Sequence, residues 1–133
     1  MLRRLNQKDN LDFFIFASKY NVKQSLFNDF IKNRKIAFIE DVDNKIVSLV
    51  YVEKKDKNYI TVVSDSKKST NNLLKILFWN FKKDLYAEIN IKNKLGFILK
   101  ENGFRIIDKQ DNTFILYFDA NKRIKKYAKR NHK

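Results

Sequence analysis

The stretch from Tyr59 to Lys83 constrains the fold most, because it combines a strand, a polar loop and a helix in immediate succession. Its first residues, Tyr59-Ile-Thr-Val-Val63, are β-branched or aromatic, which is typical of a half-buried strand. After the polar residues 64–68, the spacing predicts a helix that begins at Ser69 or Thr70 and carries these apolar residues: Leu73, Leu74, Leu77, Phe78 and Phe81. This order places the N–H groups of a helix N-terminus at the end of a strand.

The start of this helix is a candidate anion-binding site. The first turn of a helix carries unpaired N–H donors and the positive end of the helix dipole. An anion beside Ser66 to Thr70 would meet these groups together with Lys67 and Lys68, and phosphate is the obvious candidate. The alternative is that Ser69 or Thr70 caps the helix while the two lysines point into water.

The residue types that are missing exclude several classes of site. The 133 residues include no Cys, which excludes disulfides, thiolate zinc sites and a cysteine nucleophile. The single histidine, His132, lies next to the C-terminus. We therefore expect neither a metal site nor a Ser-His-Asp triad. The length favours one domain with a real core.

The apolar runs of the chain are short. Met1-Leu-Arg-Arg-Leu5 holds too few apolar residues for a secretory signal. No run approaches the roughly 18 apolar residues that a membrane-spanning helix needs. We therefore expect a cytoplasmic protein that does not contact a membrane.

Basic residues are concentrated at the C-terminal end. Lys and Arg number 29 against 15 Asp and Glu, a net charge of +14 that favours nucleic acid or another polyanion as a partner. We predict a body of residues 1–120 and a basic tail of residues 121–133, whose cationic residues are Lys122, Arg123, Lys125, Lys126, Lys129, Arg130 and Lys133. The alternative is a solvated tail in a protein whose lysine content reflects genome composition.

Two helices are predicted after a short edge strand at Leu2–Leu5. The first has Asp9 or Asn10 as its predicted N-cap and runs through Tyr20, and its spacing predicts an inner face of Leu11, Phe14, Ile15 and Ala17 or Ser18. The second begins after Ser25. Four rings in this region favour packing of helix against sheet over the alternative of a homo-oligomer surface: Phe13, Phe16, Phe27 and Phe30.

The other elements follow from alternation and turn chemistry. Gly103 stands where a left-handed residue would end a helix that closes at Glu101. The remaining predicted elements are a hairpin of Ile36–Ile39 and Ile46–Val52 with a turn at 41–45, strands at Leu85–Ile89, Phe104–Asp108 and Thr113–Phe118, and a helix from Lys92 or Asn93. The coarse order is β-α-α-β-β-β-α-β-α-β-β.

This order resembles the GNAT N-acetyltransferase family from Met1 to about Ala120. Three local features carry the resemblance: the acidic hairpin Glu40–Lys45, the strand-loop-helix around Ser64, and the segment Asn93-Lys-Leu-Gly-Phe-Ile-Leu-Lys-Glu-Asn-Gly-Phe104. The end of that segment is similar to the family's E-K-x-G-F. The resemblance implies an α+β fold with a mixed, mostly antiparallel sheet of about seven strands and about four helices.

The resemblance also implies acetyl-CoA or another acyl-CoA as cofactor. In the family, the pantetheine arm lies along the strand that corresponds to Tyr59–Val63 and contacts its backbone groups. The pyrophosphate lies on the loop and helix that follow. The cofactor-binding residues implied for this chain are Val62, Val63, Ser66, Lys67, Lys68, Ser69, Thr70 and Asn93. The chain departs from the family here, because residues 65–70 contain no glycine and Asp65 would repel a pyrophosphate unless it turned away.

A second departure concerns catalysis. Where many family members carry a tyrosine that protonates the departing thiolate, this chain has Leu99. The residues left as catalytic candidates are Glu40, Glu88 and Tyr86.

Two functions follow as hypotheses. The first is acyl transfer from acyl-CoA to an unidentified amine. The alternative is a catalytically degenerate relative that acts as a basic nucleic-acid-binding protein or as a component of a nucleoprotein or virion assembly.

Overall fold

A computed structural model describes residues 1–121 of the chain. These residues contain a short 3₁₀ turn at Gln7–Asp9 and eleven other helices and strands in the predicted order. They are β1 (Leu2–Arg4), α1 (Asn10–Tyr20), α2 (Leu26–Lys32), β2 (Ala37–Val42), β3 (Lys45–Lys54), β4 (Asn58–Val63), α3 (Lys67–Asn80), β5 (Leu85–Asn90), α4 (Leu95–Glu101), β6 (Arg105–Gln110) and β7 (Thr113–Phe118).

The seven strands form one mixed sheet in the order β1-β2-β3-β4-β5-β7-β6. The pairs β1–β2, β2–β3, β5–β7 and β6–β7 are antiparallel. Strand β4 pairs with β5 in parallel, with Tyr59 opposite Tyr86. The α+β class and the mostly antiparallel sheet predicted from the sequence are confirmed.

The chain divides into two compact units. The first comprises Met1–Glu53 and Thr61–Leu77, and the second comprises Lys54–Ile60 and the chain from Phe78 onward. The core of the first unit is rich in aromatic rings, with the Phe13 ring centroid 5.4 Å from that of Phe27. One buried hydrophobic cluster of this unit comprises Leu5, Phe13, Phe16, Ala17, Phe27, Phe30, Ala37, Ile39, Ile46, Leu49 and Tyr51. The four phenylalanines therefore lie in the core, as the sequence favoured.

Helix α1 buries a different face from the one predicted. Phe13, Phe16 and Ala17 are buried, whereas three residues assigned to the inner face are exposed: Leu11, Phe14 and Ile15, at 71%, 51% and 60%. The prediction of that face was wrong because both faces of this helix are apolar. The rotation is set by Asp9, which is buried just before α1 and bonded by Arg3 of β1. Helical spacing then turns Phe13 and Phe16 inward.

The second unit has its own aromatic core. Phe78 and Phe118 stack with centroids 4.3 Å apart and planes 2° apart, and Phe104 lies 5.2 Å from Phe118. Gly103 adopts φ +101° at the end of α4, which confirms the predicted left-handed residue. A Cβ at Gly103 would lie 3.3 Å from the Phe118 ring. The backbone conformation therefore favours glycine there, and the nearby ring leaves little room for a side chain.

Several element boundaries differ from the prediction. The β2–β3 turn is confined to Asp43 and Asn44, at φ 53° and 63°, which is the twist that suits a two-residue hairpin. Asp41 belongs to β2, where it pairs with Ile46 of β3, and its carboxylate accepts a hydrogen bond from Arg3 Nε at 2.8 Å. Helix α4 begins later than predicted, at Leu95, because the Asn93 side chain accepts the Leu95 N–H at 2.9 Å and holds a turn before it.

Candidate functional site

Ser66 caps the N-terminus of α3. Its Oγ accepts the N–H of Ser69 at 3.0 Å, and its carbonyl accepts the Thr70 N–H at 3.1 Å and the Thr70 hydroxyl at 2.9 Å. The predicted cap at Ser69 or Thr70 is therefore wrong, and α3 begins at Lys67, two residues before the predicted start. Ser66 satisfies one of the orphan N–H donors of the first turn.

A second serine closes the loop that leads into the cap. The Ser64 hydroxyl donates to the Ser66 carbonyl at 3.1 Å, and Ser64 Oγ accepts the Ser66 N–H at 3.3 Å. Short hydroxyl side chains thus hold a tight turn between β4 and α3 without glycine.

The first turn of α3 carries cations and no acid. Lys67 and Lys68 are both exposed there, at the positive end of the helix dipole. The acid of the preceding loop, Asp65, is engaged by α1, because the Tyr20 hydroxyl donates to its Oδ2 at 2.5 Å. That bond raises the pKa of Tyr20, since ionising the phenol would place an anion against the carboxylate. This hydrogen bond holds the Asp65 carboxylate toward α1, which reduces the repulsion that it would exert on an anion at the start of α3.

Ser69 joins a buried polar cluster on the inner side of α3. Ser69 Oγ donates to Glu40 Oε1 at 3.0 Å and lies 2.6 Å from Ser48 Oγ. Asn72 Nδ2 donates to the other carboxylate oxygen of Glu40 at 3.4 Å. Because the Ser69 hydroxyl donates to Glu40, the Ser48 hydroxyl is the donor in the hydrogen bond between the two serines. Both oxygens of Glu40 thus bond side chains of α3, and the carboxylate ties β2 to the first turn of that helix.

Five predicted cofactor-binding residues at the start of α3 therefore divide into two groups. The side chains of Ser69 and Thr70 are buried and bonded internally. Ser66, Lys67 and Lys68 are exposed. An anion would meet the exposed group and the backbone of the first turn.

The other predicted cofactor-binding residues lie on different elements. Val62 and Val63 end β4 and are half-buried, and Val63 packs against the aromatic core of the first unit. Asn93 lies in the second unit, where its side chain holds the turn before α4. The assignment of all eight residues to a cofactor stays a prediction.

The catalytic candidates have different surroundings. Glu40 is half-buried in the cluster with Ser69 and Asn72. In the second unit, Glu88 of β5 is exposed, and Tyr86 of the same strand is half-buried with its ring centroid 5.9 Å from that of Tyr59. Leu99 is completely buried in α4.

Two members of the polar cluster, Ser48 and Asn72, were not predicted from the sequence. Ser48 offered a signal, because it is a hydroxyl residue inside the apolar run Ile46–Val52 and such a residue needs a partner when buried. Asn72 offered none, since polar residues on one face of a helix are ordinary.

The basic-tail residues assigned to nucleic acid fall outside the described part of the chain: Lys122, Arg123, Lys125, Lys126, Lys129 and Arg130. Within residues 1–121, acidic and histidine side chains form no group of three that could hold a metal ion. No helix in the same range is long and apolar enough to cross a membrane.

Comparisons with known proteins place the fold. No protein-family profile and no curated protein sequence matches the chain. Among solved structures, a GNAT-family acetyltransferase from Streptococcus pneumoniae aligns with a TM-score of 0.71 at 12% identity, over 88% of this chain and 96% of that one. An N-acetyltransferase from Staphylococcus aureus Mu50 aligns with a TM-score of 0.71 at 18% identity, over 90% and 97%.

A third similar structure contains a cofactor. The Campylobacter jejuni N-acetyltransferase PseH, in complex with acetyl coenzyme A, aligns with a TM-score of 0.61 at 16% identity, over 90% of this chain and 99% of that one. Likeness at this identity identifies architecture. Over nearly its whole length, the chain has the fold of the GNAT acetyltransferases.

Proposed function

We propose that this protein binds acyl-CoA at the start of α3 and transfers the acyl group to an amine. The main support is the first turn of α3, which follows β4 and combines a serine cap with two exposed lysines and no acid. In the GNAT fold this is where the resemblance places the pyrophosphate of the cofactor. The structural likeness to an acetyltransferase solved with acetyl coenzyme A supports the same cofactor class.

The residues at this turn fit a pyrophosphate. The helix dipole and the backbone N–H groups of the first turn attract an anion, and Lys68 adds a mobile positive charge. Ser66 fixes the direction of the first turn through its bond to the Ser69 N–H. The Asp65 carboxylate is bonded by Tyr20, and the Glu40 carboxylate by Ser69 and Asn72. Each nearby acid therefore has a partner within the first unit.

The chemistry divides between cofactor and protein. Acyl-CoA supplies an activated thioester when bound. The chain supplies the anion site, and the backbone groups of Val62 and Val63 extend it along β4 in the manner of the family. Glu40 positions the first turn of α3 against β2. Glu40, Glu88 and Tyr86 stay the candidates for moving a proton at the acceptor amine.

A thermal-shift titration with acetyl-CoA tests the anion site. Saturating acetyl-CoA at about 100 times its Kd should stabilise the native state by about 2.7 kcal/mol and raise the Tm by about 5 °C or more. Lys68→Glu should abolish most of this shift, because it replaces an attractive charge with a repulsive one at the first turn. Lys75→Glu is the matched control, since Lys75 is exposed farther along the same helix. A wild-type protein that shows no shift would refute the proposal, as would equal losses in the two variants.

Ser66→Asp separates helix capping from anion binding. Aspartate caps helices as well as serine and favours the positive end of the dipole, so the free energy of unfolding should stay within about 0.5 kcal/mol of wild type. The Kd for acetyl-CoA should rise at least about tenfold, because a carboxylate would face the pyrophosphate. Ser66→Ala should lose about 1 kcal/mol of stability because the cap is missing, and it should weaken acetyl-CoA binding less than Ser66→Asp does. Calorimetric titration and urea unfolding measure the two effects, and unchanged affinity in Ser66→Asp would contradict the assigned site.

A further inference from the structure

A row of three tyrosines and one arginine crosses the sheet of the second unit. In the strand registers, Tyr59 lies opposite Tyr86, Tyr86 opposite Tyr117, and Tyr117 opposite Arg105. These residues come from four neighbouring strands, β4, β5, β7 and β6. Directly opposed residues share a face of the sheet, so the four side chains form one continuous line, here called the tyrosine row.

The rings of the row contact one another. The centroids of Tyr59 and Tyr86 lie 5.9 Å apart with planes inclined by 47°, and those of Tyr86 and Tyr117 lie 5.0 Å apart at 48°. These separations fall in the range of favourable aromatic pairs. The row is therefore an ordered aromatic strip.

Each ring of the row also carries a cation. The distances to the ring centroids are 5.6 Å for Lys55 Nζ over Tyr59, 4.6 Å for Lys57 Nζ over Tyr86, and 5.4 Å for Arg105 Cζ over Tyr117. All three cationic side chains are exposed. An exposed ammonium over a ring is held weakly, so it can move to a phosphate while the ring accepts another flat group.

The tyrosine row lies on the less covered face of the second unit's sheet. Alternation along β5 and β7 buries the opposite face: Leu85, Ala87, Ile89, Leu116 and Phe118 are buried. Tyr86 and Tyr117 are half-buried, and Glu88 on their face is exposed. The row therefore presents aromatic surface that the described part of the unit leaves partly open.

Asp84 links the row to the beginning of the basic tail. The Tyr117 hydroxyl donates to Asp84 Oδ2 at 2.9 Å, and the Ala120 N–H donates to Oδ1 at 3.0 Å. The bond to Asp84 raises the pKa of Tyr117 to about 12, which keeps the phenol neutral. In the sequence, the chain continues from Asn121 into a segment with seven cationic residues and no acid. Tyr117 of the row therefore shares the Asp84 carboxylate with Ala120, which directly precedes that segment.

We propose that the tyrosine row binds single-stranded nucleic acid. Bases would stack on the tyrosines, and phosphates would be contacted by Lys55, Lys57 and Arg105. Four-stranded sheets that bind single-stranded RNA use aromatic side chains on an open face in this way. The net charge of +14 complements a polyanion. This inference does not rest on acyl-CoA binding, although Tyr86 of the row is also one of the candidates for moving a proton in acyl transfer.

Fluorescence anisotropy with labelled oligouridylate and oligothymidylate of about 12 nucleotides tests the proposal. At about 150 mM salt, Tyr86→Leu should weaken binding at least about fivefold, because it removes a stacking ring from the centre of the row. Tyr86→Phe keeps the ring and should bind within about twofold of wild type. Tyr59→Leu tests the same row from its end should Tyr86→Leu fail to fold. The two oligonucleotides distinguish RNA from DNA, and binding of either supports the row.

Trp79→Leu is the matched control. Trp79 is 76% exposed and has Lys82 Nζ 4.9 Å from its ring, so it is an aromatic and cation pair of the same unit outside the row. This variant should bind like wild type, and a duplex of the same length should bind more weakly because its bases are already stacked. The proposal is overturned if folded row variants bind like wild type, if Trp79→Leu loses as much, or if the duplex binds equally well at every salt concentration.

Discussion

Phe13→Ala is expected to lower the free energy of unfolding by about 4 kcal/mol, the largest loss among the changes considered. Phe13 is 1% exposed, and its ring packs against Phe27 at 5.4 Å and Phe30 at 6.2 Å between centroids. Truncation removes buried apolar area and leaves a cavity that two other rings cannot fill without losing their own contacts. Because native stability is typically about 5–15 kcal/mol, much of it depends on this one ring.

Phe14→Ala provides the control at the next position of the same helix. Phe14 is 51% exposed, so its truncation should change the free energy of unfolding by less than about 1 kcal/mol. Urea unfolding monitored by circular dichroism measures both variants, and equal slopes against denaturant would show that the same transition is compared. Similar losses for Phe13→Ala and Phe14→Ala would contradict the buried face assigned to α1.

Arg3→Ala is expected to cost about 3 kcal/mol of stability at neutral pH, because it leaves a buried carboxylate without its partner. Arg3 Nη2 lies 2.6 Å from Asp9 Oδ1, and Nη1 donates to Oδ2 at 2.8 Å. The side chain of Asp9 is only 6% exposed. Arg4→Ala is the control, since Arg4 is exposed and its loss should change stability by less than about 0.5 kcal/mol.

The contribution of Arg3 should depend on pH. Burial alone would raise the pKa of Asp9, but the hydrogen bonds from Arg3 and the Asn6 N–H outweigh it and lower the pKa. The Arg3 bond likewise lowers the pKa of Asp41, against a smaller opposing effect of burial. A carboxyl group with a depressed native pKa stabilises the fold above its unfolded value of about 3.9, and this stabilisation disappears as the pH falls through the native pKa.

The expected result is therefore a wild-type stability that falls as the pH drops below about 4, with a smaller decline in Arg3→Ala. The two proteins should converge toward acid pH, because protonation removes the charge that Arg3 neutralises. Thermal melts between about pH 7 and pH 2 measure the difference in Tm. A constant difference across that range would contradict the ion-pair assignment.

Elements whose signals are local were predictable. Strand β7, Thr113–Phe118, was predicted with its observed bounds, and α1 begins at Asn10 and ends at Tyr20 as expected. The left-handed conformation of Gly103 was predictable because glycine is favoured just after the end of a helix. Periodicity and turn chemistry depend on neighbours along the chain, which is why these features could be inferred without coordinates.

The presence of a helix after β4 was predicted, but its first residue and its cap were not. Whereas α3 begins at Lys67, the sequence indicated a loop that holds Lys67 and Lys68 before a helix start at Ser69 or Thr70. It did not indicate that Ser66 is the cap, because three hydroxyl residues within five positions compete for that role and each fits the spacing. Only the partners Ser48 and Glu40 explain why Ser69 turns inward.

The sequence by itself determined the order and type of the elements and the place where a helix N-terminus follows a strand. Tertiary structure decided the rotation of α1, through the contact of Arg3 with Asp9, and the alignment of Tyr59, Tyr86 and Tyr117 across strands distant in the chain. The physical reason is that periodicity defines a helix or a strand but leaves open its rotation and register when both faces are partly apolar. Those two quantities are set by partners that only the folded chain brings together.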